Sequence, residues 1–391
     1  MAVLVAGLLL AACAESDDTK VETGPAPYTT ATAIEPAPVT LDFGVLEVAV
    51  PQNAFSIGIV VQGTSRDVIT FIEHRGTLLG RNDSIRGPGG KVPLKFNKID
   101  GRKISTFVNV EAAAAHFPND GTVRTLKAGT YKFPIGAADR TVAGTPLIPD
   151  LLTPFVYYKT ATNQVPTLKV NLFVVEGVGG TIVDLPSAQS DPELMVAVQV
   201  LRNVYESNPN VAVTLDVTLA VIADPTIADI GSENEFFDLL SGFPLAPTHD
   251  AVNLFVVGSF SYLEDAVIGL AAGIPGPFNR QGTATSGTAM EYQGDGTGTI
   301  LGFALAHELG HYFGLYHTSQ TGPTQTDIIG EDPIDDTPAC RTLDIFSAGG
   351  SVDGCPDRGN LMFPIVENNP IPNVTVGQGN VVKFNPAIVV P

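Results

Sequence analysis

The spacing of apolar positions changes character twice along the chain. From about residue 41, short runs rich in β-branched side chains (45–50, 55–61 and 68–72) alternate with Gly, Asn and Pro turns. Strands at that density predict a β-sandwich-like domain over residues 41–160. From residue 161 onward strand and helix patterns take turns. Residues 168–175 read as a first strand. Asp191-Pro192-Glu193 then starts a helix in which Leu194, Val196, Ala197, Leu201 and Val204 share one face. Residues 211–222 read as a second strand, 232–240 as a short helix capped by Ser232 with Glu235 three residues on, and 252–257 as a third strand. Residues 14–40, rich in Thr, Pro, Ala and acidic side chains, carry no apolar period and are expected to be a flexible tether.

Composition narrows the setting. A chain of 391 residues can bury two sizeable cores, and 40 Gly, 30 Pro and no Trp suit a β-rich, loop-rich extracytoplasmic protein. The formal net charge of −20 argues against binding a phosphate backbone, so no nucleic-acid partner is expected. Charge is nevertheless divided: residues 61–140 hold 13 of the 21 basic side chains, whereas 161–391 holds 6 basic against 26 acidic. The two halves are therefore expected to attract each other, although a basic module could also meet acidic glycans or lipid headgroups. Residues 1–12 are an apolar signal stretch ending Leu10-Ala11-Ala12, and with Cys13 they resemble the lipobox of a bacterial lipoprotein. That resemblance implies removal of residues 1–12, lipidation of Cys13, and membrane contact through a lipid anchor only, at the cell envelope. A plain secretory signal with an incidental cysteine is the other reading. Cys340 and Cys355 remain as an even pair, either a disulfide closing a short loop or two free thiols.

The chemistry concentrates in residues 307–317, His-Glu-Leu-Gly-His-Tyr-Phe-Gly-Leu-Tyr-His, preceded by an apolar run expected to be a buried helix. On a helix His307 and His311 share a face and can direct two imidazoles at one ion, with Glu308 one step round. Gly314 can take the positive φ that ends a helix, letting the chain swing His317 back as a third ligand. Three protein ligands leave a coordination position open, as catalytic zinc sites do. With this chain's own residue usage the full pattern arises by chance about six times in a million sequences, so three unrelated surface histidines are a poor account. His74, His116 and His249 stand alone and are expected to be ordinary surface or hydrogen-bonded histidines.

H-E-x-x-H-x-x-G-x-x-H resembles the signature of the metzincin zinc endopeptidases. In Gly359-Asn360-Leu361-Met362, Met362 is similar to the clan's Met-turn, whose methionine lies beneath the metal without ligating it. Asp336-Thr337-Pro338 and the cysteine pair are most similar to the pappalysin group and related bacterial lipoprotein proteases, while Phe363 stands where several metzincins carry a zinc-reaching tyrosine. The resemblance implies an α+β (α-β-α) metzincin catalytic domain over 161–391, with a mixed twisted sheet. It also implies an edge strand over 269–278 that binds a protein or peptide substrate in extended form, although Gly273, Pro275, Gly276 and Pro277 also allow a surface loop. Asp327, Glu331, Asp332, Asp335 and Asp336 could hold calcium, as in pappalysins, or form a solvated acidic loop. The function expected is a zinc-dependent endopeptidase that hydrolyses peptide bonds with metal-activated water and Glu308 as general base. A surface-tethered binding protein with a non-catalytic zinc site is the alternative. Residues 41–160 are either a permanent module or a propeptide, with 144–154 as its hinge or cleavage region.

Overall fold

The computed structural model describes residues 28–34, 39–41, 43–72, 86–87, 90–91, 105–106, 109–123, 125–139, 150–162, 165–242, 251–263, 267–319, 332–338, 354–366 and 372–388. Cys13, Cys340, Asp327, Glu331, His74 and His249 lie outside this set.

Among the described residues, every regular element of the N-terminal part is a strand. In order it runs β1 (Tyr28–Ile34), β2 (Val39–Leu41), β3 (Phe43–Val50), β4 (Ala54–Gln62), β5 (Val68–Ile72), the two-residue strands β6 (Arg86–Gly87), β7 (Gly90–Lys91), β8 (Ser105–Thr106) and β9 (Asn109–Val110), then β10 (Ala112–Phe117), β11 (Gly129–Asp139) and β12 (Asp150–Thr162). They form two antiparallel sheets: β1-β12-β4-β10-β8 with β2 on β12, and β7-β6-β11-β5-β9 with β3 on β11. The sheets close on one core, where Ile57, Ile59, Val61, Phe117 and Val156 of the first meet Val48, Ile72, Phe133 and Ile135 of the second.

The alternate residues of the first sheet, Val60, Ala112, Ala114, Phe155 and Tyr157, belong to the other core, shared with the C-terminal half. This sheet is buried on both faces, which is why β4 and β10 read as nearly unbroken apolar runs.

The C-terminal half begins with β13 (Thr167–Val175), followed by α1 (Leu185–Ser190), α2 (Pro192–Tyr205), β14 (Thr214–Ile222), α3 (Glu233–Gly242), β15 (Ala251–Val257), β16 (Gly269–Ala271), β17 (Gly287–Glu291), α4 (Thr299–Phe313) and α5 (Val376–Phe384). The sheet order is β14-β13-β15-β17-β16; the first four strands are parallel and β16 runs antiparallel at the edge. Asp191 caps α2 by accepting from Leu194 N at 2.8 Å, as the Asp-Pro-Glu start predicts. Helices α2 and α4 touch closely, since a Cβ on Gly302 would stand 2.6 Å from Val200 Cβ, and Tyr205 Oη donates to Ala306 O at 2.8 Å across the same contact. No helix among the described residues is long and apolar enough to cross a membrane.

Three expectations need correction. Part of the tether expected over 14–40 is strand, because β1 and β2 both pair with β12, whose thirteen residues offer a long edge. Part of the expected hinge at 144–154 is strand, since β12 begins at Asp150. The edge strand expected over 269–278 stops at Ala271, where the glycines and prolines that follow cannot continue a ladder.

Candidate metal centre

Helix α4 carries His307, Glu308 and His311, all buried. It ends at Gly314, whose φ of 100° lies in the left-handed region; Gly314 N donates to His311 O and Leu315 N to Gly310 O. The reversal returns His317 to the helix face. His317 Nε2 then lies 3.1 Å from Nε2 of His307 and 3.1 Å from Nε2 of His311.

The outer nitrogens decide what the inner ones can do. His307 Nδ1 stands 2.7 Å from Leu361 O, and His311 Nδ1 stands 2.7 Å from Leu315 O. A carbonyl oxygen only accepts, so each Nδ1 carries the proton and each Nε2 presents a lone pair inward. Burial drives His307 down to about 4, and burial with the neighbouring His307 drives His317 to about 3. His311 falls well below the ordinary range through burial and both of its neighbours. With the proton of His317 also on Nδ1, three lone pairs would face one another at this distance, an arrangement that repels unless a cation sits among them. Two nitrogens each about 2 Å from a shared tetrahedral ion lie about 3.3 Å apart, close to the spacing found. The trio therefore fits a borderline divalent ion such as zinc.

Glu308 lies against the edge strand. An ideal Cβ on Gly269 would lie 2.8 Å from its Cγ and Oε1. Burial pushes its carboxyl up to about 8, opposed by a hydrogen bond from the Ala271 backbone.

Beneath the helix, Met362 is wholly buried, with its Sδ 2.6 Å from where a Cβ on Gly310 would stand. The turn is wired to its surroundings: Met362 N donates to Asn360 Oδ1 at 2.8 Å, and Asn360 and Gln378 exchange side-chain amide bonds at 2.9 Å. Residues with no sequence signal also serve the site. Leu361 and Leu315 contribute only carbonyls. Asp357, buried, accepts from Thr318 Oγ1 at 2.7 Å and Ser319 Oγ at 2.5 Å, tying the segment after His317 to the Met362 turn.

Among the described residues of the acidic stretch, Asp332, Asp335 and Asp336, none joins the histidine group. Asp332 accepts from Ile334 N and Thr337 Oγ1, while Asp336 accepts from Thr375 Oγ1 and Gly377 N at 2.8 Å each, at the start of α5. These bonds give both carboxylates structural duties that need no cation. Asp335 is exposed. Cys355 is buried and disulfide-bonded. His116 is fully buried, not on the surface; burial and nearby Lys159 hold it neutral, with its pKa lowered to about 3.

A buried three-histidine centre with an adjoining glutamate is the class of site this fold builds. No family model matches the chain. It is 36% identical over 103 residues to an "Extracellular metalloprotease" of Colletotrichum graminicola, covering 26% of this chain and 28% of that protein. An "Extracellular metalloprotease" of Verticillium alfalfae is 32% identical over 122 residues, covering 31% of this chain and 33% of that one. The matches thus span about a third or less of these relatives' length. A solved structure, metalloproteinase-II from Bacteroides fragilis, aligns over 46% of this chain and 56% of its own at 12% identity with a TM-score of 0.27, too low to carry an argument.

Proposed function

We propose that the chain is a zinc-dependent endopeptidase of the extracytoplasmic space, with His307, His311 and His317 as ligands and Glu308 as general base. One observation carries this reading: three imidazole nitrogens converge within 4.8 Å of one another beside a buried carboxylate that lies against the edge strand. Similarity to proteins named extracellular metalloproteases supports it.

Zinc, when bound, supplies Lewis acidity, polarising a carbonyl and making water nucleophilic near neutral pH. The chain's own residues do the rest. Leu361 O and Leu315 O fix two ring orientations by their hold on Nδ1–H. Glu308 can take a proton at a carboxylate oxygen and return it to a leaving amine; its raised pKa in the metal-free chain would be drawn back down by a nearby cation. Strand β16, outermost in its sheet, can receive a peptide in extended form by strand addition, which brings the scissile bond over Glu308.

The disulfide at Cys355 supports export, since such bonds persist in oxidising compartments. Lipidation at Cys13 would add a membrane tether.

Metal analysis and quenched-peptide hydrolysis on the wild type, Glu308→Gln and His307→Ala test the proposal. The wild type is expected to bind one zinc and cleave. Glu308→Gln should keep the zinc and lose at least about 10²-fold in rate, and His307→Ala should lose both. Stoichiometric zinc with no cleavage in the wild type would make the chain a binding protein instead.

A further inference from the structure

The stretch joining the second and third histidines is held from outside the C-terminal half. Asn119, wholly buried just after β10, donates from Nδ2 to Gly314 O over 2.8 Å, across 195 residues of sequence. Gly314 is the residue whose left-handed backbone turns the chain. Two positions on, Tyr316 places its ring in the β-module's own core, and its hydroxyl donates to Ile274 O at 3.3 Å. Leu315, between these anchors, supplies the carbonyl that orients His311, and His317 follows at once. A carbonyl gripped at Gly314 cannot flip, so the path to Leu315 O and His317 Nε2 is set by the neighbouring module as well as by α4.

The segment leaving the edge strand is pinned at the same place. Gly276 N donates to Tyr312 O at 2.9 Å, and Phe278, fully buried, sets its ring edge-on to Tyr157 of β12 at 6.1 Å. Through the sheet buried on both faces, the module thus reaches both flanks of the metal centre.

We propose that the N-terminal β-module is a standing part of the metal centre, and that Asn119 is a positioning residue that sets His317 through Gly314. This rests on the metal-site reading above but not on peptidase activity.

The test measures zinc affinity of the full chain by competition with a chromogenic chelator, alongside the melting temperature of the metal-free protein. Asn119→Asp is isosteric and lacks the donor. Ser56→Ala is its control, since Ser56 Oγ makes a comparable bond across the same joint, to Phe384 O at 2.8 Å, that leads to α5 and not to the ligand stretch. Asn119→Asp is expected to weaken zinc binding about tenfold or more, as loss of a residue supporting a ligand does. It should also alter the visible spectrum of the cobalt-loaded chain. Ser56→Ala should do neither, whatever it does to the melting temperature. Asn119→Ala removes the donor without adding charge and repeats the comparison if Asn119→Asp does not fold. Wild-type zinc affinity in the Asn119 variants, or equal losses in Asn119→Asp and Ser56→Ala, would overturn the proposal and leave Asn119 an ordinary joint residue. A wild-type chain that takes up zinc but cleaves nothing would sink only the peptidase reading.

Discussion

Gly269 has no room for a side chain, because a Cβ there would press on the carboxylate of Glu308. The restriction is spatial, so Gly269→Ala should displace the base without touching a ligand. Zinc content is expected to stay at one per chain while kcat falls about 10²-fold, the usual effect of moving a reacting group by about an ångström; metal analysis beside steady-state kinetics checks both. Gly310 stands in the same relation to Met362 Sδ. Gly310→Ala should overpack the turn beneath the three histidines and destabilise the fold by about 1–3 kcal/mol, read from urea unfolding. The meeting of His307 and His311 was legible in the sequence because a four-residue spacing on a helix is a geometric statement, and the return of His317 because Gly314 announces a reversal. Glu308's company was not. Nothing local marks Gly269 as its neighbour, since the two meet only when the edge strand lies beside α4.

At the scale of elements, α5 shows how a helix far along the chain supports the site. Thr375 and Gln378 form its capping box, Asp336 accepts from Thr375 Oγ1 and Gly377 N, and Gln378 holds Asn360 beneath Met362. Asp336→Ala should therefore cost about 0.5–2 kcal/mol, with Asp335→Ala as the exposed control that costs nothing measurable by the same unfolding curves. Strand and helix order in the C-terminal half followed from periodicity, down to the Asp191 cap and most of the buried face of α2; Val196, expected on that face, is exposed, and Val200 and Tyr205 are buried beside Leu194, Ala197, Leu201 and Val204. What periodicity missed was pairing at long range. Residues 28–34 look like tether by composition, yet they find a partner in β12. Runs such as 112–117 carried a hint that was open to reading: strands apolar at every position, not at every second one, are buried on both sides.

For the molecule as a whole, the joint between its two parts should make stability depend on pH. Lys159 is fully buried at this joint, and burial lowers its pKa from the usual 10.5 to about 7. Between those values the unfolded chain holds a proton that the folded chain lacks, so stability should rise with pH from about 7 to 10.5, by about 1.4 kcal/mol per unit at most. His116 acts in the same direction in acid: its folded value near 3 lies below the ordinary 6.5, so stability should fall as pH drops through that interval. Lys159→Met is expected to flatten the alkaline slope in melting curves recorded across pH, and an unchanged slope would place the charge elsewhere. The joint also carries a consequence for timing. Lys159 Nζ donates to Ile388 O, 229 residues downstream; Ser56 and Phe384 meet across 328, and Asn380 and Gly121 across 259. A β-module whose strands are complete by residue 162 must wait on the ribosome for residues 380–388 before its outer face is covered. Contacts this distant form late and slowly. The bond from Asn119 to Gly314 spans 195 residues, so the stretch that carries His317 also takes its set only when most of the chain has been made.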